Sequence, residues 1–262
     1  VTINALTTGM QPSSIATTGE VTIYGGNVHI LSTINHKSNA SGGVQNEVDL
    51  IIDGSKSVTI AAGVGAGGDV YVDSNGPIDI SSSVISDHDA GGDGGIYVTN
   101  SGANAPTMIS GLLGVPATSG DSIQITTNGP LTISGVVLNL GSYVDIHNNG
   151  TGAGNFTDIS GNIGSADWVH VYNSLSPANK PLTISGVVVA TNDVTIENFG
   201  ASAGNTTTIS GRVQSGGNVD VTHYGLPSGK LTVSGSLTAG VDVSMFSDGH
   251  AQIGTVNAGD DI

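Results

Sequence analysis

The chain has 262 residues with 41 glycines, no cysteine and a formal net charge of −16, because 21 acidic residues stand against five basic ones. That charge disfavours nucleic acids and anionic membrane surfaces as partners, and no apolar run approaches the roughly 20 residues that a membrane span requires. Few lysines and abundant Gly, Thr, Ser and Asn predict an extracellular or cell-surface location.

The first residues differ in character from the rest. Residues 1–17 carry a single strand-like run, Val1-Thr2-Ile3, followed by a polar stretch. Val21-Thr22-Ile23 and Val28-His29-Ile30 then indicate a first, irregular coil of strands. We therefore expect two segments, an N-terminal arm over residues 1–17 and one repetitive domain over residues 18–262.

The dominant signal in this domain is an Ile-Ser-Gly phrase that returns about every 25 residues. The sixth and last copy has Val in place of Ile. The copies are Ile109-Ser110-Gly111, Ile133-Ser134-Gly135, Ile159-Ser160-Gly161, Ile184-Ser185-Gly186, Ile209-Ser210-Gly211 and Val233-Ser234-Gly235. A period of this length indicates a repeat architecture in which each unit buries its apolar face by stacking on its neighbours.

A second phrase runs in step with the first, with two aliphatic residues flanking one of no fixed type. Examples are Val70-Tyr71-Val72, Ile96-Tyr97-Val98, Val144-Asp145-Ile146, Val169-His170-Val171 and Val219-Asp220-Val221. Because successive strand residues point to opposite faces, each aliphatic pair faces the core and each middle residue faces solvent. The two phrases predict two or three short strands per repeat.

These patterns predict an all-β protein made of a single parallel β-helix with about 25 residues per coil. No stretch has the 3.6-residue apolar period of an amphipathic helix. From Val21 onward we expect about nine or ten coils, which at the spacing of neighbouring strands form a rod on the order of 45 Å long. A right-handed coil is expected, since parallel crossover connections have that hand.

The alternation of the two phrases resembles a known family. Thr208-Ile209-Ser210-Gly211 followed by Gly217-Asn218-Val219-Asp220-Val221 is similar to the β-helical shafts of filamentous-haemagglutinin-type adhesins and related bacterial surface solenoids. The resemblance covers roughly residues 58–245. It implies an exported, non-enzymatic rod that projects a binding tip or builds a surface fibre.

The densest acidic stretch is a candidate Ca²⁺ site. Carboxylates on neighbouring coils could supply the oxygen ligands that Ca²⁺ prefers, and the residues concerned are Asp69, Asp73, Asp87, Asp89 and Asp93. The alternative is a solvated loop rich in Asp and Gly. No other cofactor is expected. The seven histidines, His170 and His223 included, have no metal-ligand spacing and are predicted to be surface residues.

A polysaccharide lyase-like β-helix enzyme is one alternative function. Such an enzyme would place a basic catalytic residue beside Ca²⁺ held by acidic residues. The five basic residues are scattered along the chain, and none is the middle residue of a strand phrase beside the acidic stretch. We therefore expect a protein that is not an enzyme.

Four N-glycosylation sequons occur, at Asn39, Asn149, Asn155 and Asn205. Each lies at a predicted corner between strands, where an attached glycan would be accessible. In a chain this rich in Asn and Thr, chance matches are the alternative.

The ends of the predicted solenoid carry no capping helix, so their strand edges are expected to be open. We expect the last coil to pair with the first coil of a second copy, giving an open head-to-tail filament without nucleic acid or membrane partners. The arm would cross this junction, and deletion of residues 1–17 would leave monomers. The predicted junction residues are Val1, Thr2, Ile3, Val21, Ile23, Val241, Val243, Ile253 and Ile262. The alternative is the shaft of a larger cell-surface adhesin.

Overall fold

A computed structural model describes residues 2–3, 20–36, 49–86, 94–116, 122–152, 154–176, 181–200, 204–226 and 228–262. Within these ranges every regular element is a β-strand and the strands pair in parallel, so the prediction of an all-β, parallel solenoid is confirmed. The described residues include no helix with the length and apolarity that a membrane crossing requires.

The strands are short and follow the predicted phrases. The Val-x-Val phrases quoted above lie within strands, although Val241-Asp242-Val243 near the end reaches only the first residue of a strand. Most Ile-Ser-Gly phrases end one strand and turn the corner to the next. In chain order the strands are β1 (Thr2–Ile3), β2 (Val21–Ile30), β3 (Ile34–His36), β4 (Leu50–Ile60), β5 (Val64–Ala66), β6 (Val70–Ser74), β7 (Ile78–Ile80), β8 (Val84–Ser86), β9 (Ile96–Asn100), β10 (Thr107–Ile109), β11 (Leu112–Val115), β12 (Ile123–Thr127), β13 (Leu131–Ile133), β14 (Val136–Asn139), β15 (Val144–Asn148), β16 (Thr157–Ile159), β17 (Asn162–Ser165), β18 (Val169–Ser176), β19 (Leu182–Ile184), β20 (Val187–Ala190), β21 (Val194–Gly200), β22 (Thr206–Ile209), β23 (Arg212–Ser215), β24 (Val219–Tyr224), β25 (Lys230–Thr238), β26 (Val243–Ser247) and β27 (His250–Asn257).

Each turn of the solenoid contributes strands to three faces. The first face stacks β6, β9, β12, β15, β18, β21, β24 and β26. The second face stacks β7, β10, β13, β16, β19 and β22, and the third stacks β8, β11, β14, β17, β20 and β23. The long strands β2 and β4 serve the first and second faces, and β25 and β27 serve the second and third.

The regular part has about eight turns at intervals of roughly 25 residues. This count is slightly lower than the nine or ten coils predicted from the sequence, because the coils that contain β2 and β4 depart from the period. Val21 on β2 pairs with Leu50 on β4, and Leu50 pairs with Val70 on β6, so these two steps are respectively longer and shorter than the repeat.

The register of strand pairing stacks the periodic aliphatic residues into a hydrophobic core. Each residue pairs with its counterpart one turn away, so that Ile133 pairs with Ile109 on one side and with Ile159 on the other. All three side chains are buried, with at most 1% of their surface exposed. Similar aliphatic columns line the other faces, and together they form one continuous core along the rod.

The glycine of the Ile-Ser-Gly phrase is required by the close approach of successive turns. A Cβ atom at Gly186 would overlap the carbonyl oxygen of Gly161, and one at Gly161 would overlap that of Gly135. At the same corner the Gly186 amide donates a hydrogen bond to the Ile159 carbonyl at 3.1 Å. A side chain here would push neighbouring turns apart and break this contact.

A buried polar column runs along the corner between the first and second faces. Its members are at most 4% exposed, and they are Ser74, Asn100, Thr127, Asn148, Asn173, Asn198 and His223. Asn198 donates from Nδ2 to Oγ1 of Thr207 at 2.9 Å and to the carbonyl oxygen of Thr206 at 3.0 Å. The amide groups thereby find the hydrogen-bond partners that buried polar atoms require.

His223 takes the place of an asparagine in this column. Its Nδ1 lies 2.9 Å from Oγ1 of Thr207, whereas its Nε2 is buried and has no hydrogen-bond partner among the described residues. Burial lowers the pKa of His223 below the ordinary value of 6.5, and the charge of Asp248 opposes this only in part. The folded chain therefore favours a neutral imidazole at this position.

The glycine column predicts an unequal effect of two neighbouring substitutions. Gly186→Ala should destabilise the fold by about 1–3 kcal/mol or more, the usual cost of overpacking a tight site. Ser185→Ala, at an exposed position beside it, should change stability by less than about 0.5 kcal/mol. Chemical unfolding of both variants checks this, and equal stabilities would contradict the close-approach argument.

His223 predicts a loss of stability in acid. Below about pH 6.5 the unfolded chain takes up a proton that the folded His223 resists, so stability falls as the pH drops toward the lowered pKa. His223→Asn, which restores the residue type of the column, should therefore lessen the fall in melting temperature between about pH 7 and pH 5. His29→Asn is the control, because His29 lies outside the column. The same pH dependence in both variants and the parent chain would show the prediction to be wrong.

Candidate functional site

The structure separates the two described members of the predicted Ca²⁺ site. Asp69 precedes β6 and Asp73 lies within it, so strand geometry holds their Cα atoms roughly 13 Å apart. The other three predicted ligands lie outside the described residues, and they are Asp87, Asp89 and Asp93. Asp69 and Asp73 therefore do not converge on one ion, while Ca²⁺ binding by the other three stays a prediction.

Asp69 links successive turns of the backbone. Its Oδ1 accepts the Gly95 amide at 2.7 Å and its Oδ2 accepts the Tyr71 hydroxyl at 2.6 Å. Its own amide donates to Oδ1 of Asp49 one turn earlier at 3.0 Å. The hydrogen bond to Asp69 raises the pKa of Tyr71 above its ordinary value. A similar series of hydrogen bonds recurs near the other end, where a backbone amide donates to a side-chain Oδ1 one turn earlier. Its members are Asp193, Asn218, Asp242 and Asp261.

The first face brings together three metal-ligating side chains from two neighbouring turns. Asp145 and His147 share the outward side of β15, and His170 lies on the outward side of β18. Register pairs Asp145 with His170, although 25 residues separate them along the chain. One ligand atom from each side chain lies within 4.8 Å of the other two. We call these three residues the His-Asp cluster.

One carboxylate oxygen is central to the His-Asp cluster. Oδ1 of Asp145 lies 3.1 Å from Nδ1 of His170 and 2.9 Å from Nε2 of His147. The second contact is not aligned as a hydrogen bond, and Nε2 of His147 is buried with no hydrogen-bond partner among the described residues. The three side chains are 22–33% exposed, so solvent reaches the cluster from one side.

A second carboxylate orients His170 from the next turn. Glu197 on β21 places Oε2 3.0 Å from Nε2 of His170, so the ring lies between two carboxylates. Burial by itself lowers the pKa of His170, but the hydrogen bonds and charges of Asp145 and Glu197 raise it above its ordinary value. Burial also raises the pKa of Asp145. The hydrogen bonds and charges of His147 and His170 outweigh the effect of burial and lower the pKa of Asp145 to about 2.

Aromatic rings flank the cluster on the same face. The ring of His147 lies 5.0 Å from that of Tyr172, and the ring of His170 lies 6.4 Å from that of Trp168. Trp168 in turn stacks on Tyr143 at a centroid distance of 4.2 Å. Because the chain has one tryptophan, its fluorescence reports on the surroundings of this cluster.

The spacing of these residues along the chain matches no metal-binding motif, so the prediction from the sequence missed the cluster. The signal that could have found it is the register. His170 is the middle residue of its Val-x-Val phrase, as Asp145 is in the phrase before, and His147 follows Asp145 by one outward position. Alignment of the repeats therefore places the three side chains next to each other.

The predicted junction residues of the last turn are mostly exposed. Val241 is 41% exposed, Ile253 38% and Ile262 77%, whereas Val243 is buried. Ile253 and Ile262 thus present apolar surface at the outer edge of the last described turn.

At the other end the described junction residues lie against strands of their own chain. Ile23 is buried and Val21 is partly buried against the core. Thr2 and Ile3, which form β1, pair with His29 and Ile30 on β2, whereas Val1 lies outside the described residues. The described part of the arm therefore lies on the first turn of its own chain.

Two of the predicted glycan acceptors are not at the surface. Asn155 and Asn205 are 1% and 0% exposed, and their Nδ2 atoms donate to Asn148 and to the Tyr224 carbonyl, respectively. These positions do not offer the accessible corner that the sequence predicted. Asn149 is partly exposed and Asn39 lies outside the described residues, so glycans at these two positions stay a prediction.

Comparisons with known proteins assign this chain to no family. No protein-family model, curated protein or solved structure gives a significant match.

Proposed function

We propose that this chain is a non-enzymatic, structural β-solenoid of the cell surface or extracellular matrix, and that copies of it assemble head to tail. The observation that carries the proposal is that the residue columns of the first and second faces continue into both end turns, although the β2–β4 and β25–β27 pairings each shift register at a corner between two faces. A copy stacked on the last turn would find the counterparts of its own side chains in place.

An outward column of the first face supports this arrangement. It runs from Tyr24 on β2 to Phe246 on β26 through the position of His147. Both terminal rings are exposed, Tyr24 by 65% and Phe246 by 45%. Head-to-tail stacking would set Tyr24 of one copy against Phe246 of the next, so that two exposed aromatic rings bury each other.

An inward column also ends in a partly exposed apolar side chain at the last turn. The second-face column ends at Ile253, whose predecessors Ile209 and Val233 are buried while Ile253 itself is 38% exposed. A further turn would complete its burial, and burying an aliphatic side chain of this size contributes roughly 1.5–3 kcal/mol in full. The stacked copy would supply Ile30 of the same column, once Ile3 on its own β1, which pairs with Ile30, has moved away.

The last turn also offers backbone groups for pairing. The residues of β27 are almost all exposed, and among the described strands β27 pairs with β25 alone. Addition of a parallel strand would satisfy the outward amides and carbonyls of β27, as in other complexes formed by strand addition. The net charge of −16 opposes the approach of copies, and salt screens that repulsion.

The resemblance to filamentous-haemagglutinin-type shafts supports the same proposal. Strands that alternate Ile-Ser-Gly and Val-x-Val phrases, few basic residues and no cysteine support an exported rod of that kind. The outer edge of β27 would also accept further coils of a longer chain. The shaft of a larger adhesin is therefore the second candidate function.

Assembly predicts a concentration-dependent fibre. Electron microscopy and sedimentation of the purified chain should reveal uniform fibres whose length grows with protein concentration. Ile253→Lys should leave short rods, because a charge at the junction would have to be buried without a partner. Gln252→Lys is the matched control: it adds the same charge to the same strand on the outward face, and it should still form fibres.

Two results would contradict the assembly. Parent chain that stays as single rods at every concentration would favour the adhesin shaft. Equal loss of fibres in both lysine variants would show that the added charge, and not its burial at the junction, prevents assembly. Neither substitution should unfold the rod, since both lie on the exposed strand β27.

The arm provides a further prediction. β1 pairs with His29 and Ile30 on its own β2, which is the edge that a neighbouring β27 would need. We therefore expect deletion of residues 1–17 to expose this edge and to lower the concentration at which fibres form. Loss of fibres in the truncated chain would show instead that the arm crosses the junction, as the sequence predicted.

A further inference from the structure

We infer that Asp145, His147 and His170 bind one divalent transition-metal ion of the Zn²⁺ or Cu²⁺ type. The inference is independent of the proposed assembly, because the His-Asp cluster lies on the outward side of β15 and β18, away from both end turns.

The separations within the His-Asp cluster suit a tetrahedral ion. Zn²⁺ bound to nitrogen and oxygen ligands at about 2.0–2.1 Å holds neighbouring ligand atoms roughly 3.3 Å apart. Oδ1 of Asp145 lies 2.9 Å from Nε2 of His147 and 3.1 Å from Nδ1 of His170. One ligand atom of each side chain lies within 4.8 Å of the other two, so side-chain shifts on the order of 1 Å would admit the ion.

His147 supplies a second observation. Its Nε2 is buried and lacks a hydrogen-bond partner among the described residues, although a carboxylate oxygen lies 2.9 Å away. Buried polar atoms in folded proteins are nearly always paired. The Asp145 oxygen and the His147 nitrogen lie 2.9 Å apart, close to the spacing of two ligand atoms around a common ion, and such an ion would satisfy both.

The donor set selects the class of ion. Two imidazole nitrogens and one carboxylate suit Zn²⁺, Cu²⁺ and Ni²⁺, with Cu²⁺ the tightest of these. Ca²⁺ and Mg²⁺ prefer sites made of oxygen ligands. The His-Asp cluster is thus a different site, with a different ion, from the Ca²⁺ site that the sequence predicted around Asp69.

Glu197 completes the arrangement. Its Oε2 lies 3.0 Å from Nε2 of His170, so the carboxylate can accept a hydrogen bond from Nε2–H while Nδ1, deprotonated on metal binding, would present its lone pair to the ion. A carboxylate behind a ligating histidine is the usual partner that fixes the ring and raises its basicity. Three protein ligands leave a fourth position for water on the solvent side, as in sites that are open to exchange. The ion would join two turns directly and a third through Glu197.

The test is calorimetric titration of the full chain with ZnCl₂ and with CuCl₂, alongside CaCl₂. We expect one Zn²⁺ or Cu²⁺ ion per chain, with Cu²⁺ bound more tightly, and no heat from Ca²⁺ at this site. Cu²⁺ quenches nearby fluorophores, so the emission of Trp168, 6.4 Å from His170, should fall with the same stoichiometry. This second readout locates the ion.

Matched histidine variants distinguish the His-Asp cluster from other surface histidines. His147→Ala and His170→Ala should each weaken binding by more than about 100-fold, since even the loss of a partner behind a ligand costs 10–100-fold. His29→Ala and His250→Ala, which remove histidines outside the cluster, should leave the affinity and the quenching unchanged. Melting temperatures without metal confirm that each variant folds, which is expected because the cluster faces outward.

Absence of saturable Zn²⁺ and Cu²⁺ binding in the folded chain would overturn the inference. Binding that persists in both His147→Ala and His170→Ala, or quenching of Trp168 that those variants do not change, would overturn it as well. Since none of these readouts depends on fibre formation, the inference and the proposed assembly succeed or fail separately.

Discussion

The structure depends on one constraint, the parallel backbone pairing that holds each residue beside its counterpart one turn away. Under this constraint residues that recur with the sequence period stack into columns along the rod. Each turn then buries the aliphatic side chains of its neighbours, because each isoleucine packs between the one below and the one above. Ile133 between Ile109 and Ile159 is an example. The constraint is also strict. Where neighbouring turns approach closely, at Gly161 and Gly186, no Cβ atom fits, so at these positions the spacing of the paired backbones admits glycine alone.

The same constraint explains why the fold could be predicted from the sequence and the His-Asp cluster could not. An inward column requires residues of one kind, so its period is visible in the sequence. An outward column has no such requirement: Asp145, His170 and Thr195 succeed one another, and their proximity emerges only from the register. The sequence predicts Asp69 as a Ca²⁺ ligand for a related reason. Composition reveals a carboxylate, but it does not reveal that its partners are the Gly95 amide and the Tyr71 hydroxyl.

The corners show a further limit of prediction from sequence. Asn next to Gly, Thr or Ser is typical of an exposed turn, and this chain places several such residues inside. Asn205, between Gly204 and Thr206, is one of them, and it lies with the buried Asn198 at a corner where the backbone changes direction around a buried polar column. Nδ2 of Asn198 is 3.3 Å from Oδ1 of Asn205, so each amide supplies hydrogen bonds that the turning backbone and its neighbour need. In a solenoid the inside of a corner must be filled, and a small planar amide can fill it and bond in several directions.

Register also determines what can follow the last turn. Association of a separate copy must offset about 4–15 kcal/mol of lost translational and rotational freedom, whereas a covalently linked coil does not. Burial of Ile253 alone, worth at most roughly 3 kcal/mol, is too little. The contact of Phe246 with Tyr24, the inward columns and the backbone groups of β27 must all form together. A slip of one residue along the strands would turn every inward side chain outward, so all of these contacts would be lost together. Assembly by this route is therefore confined to one register and one polarity, which is the condition for a uniform filament.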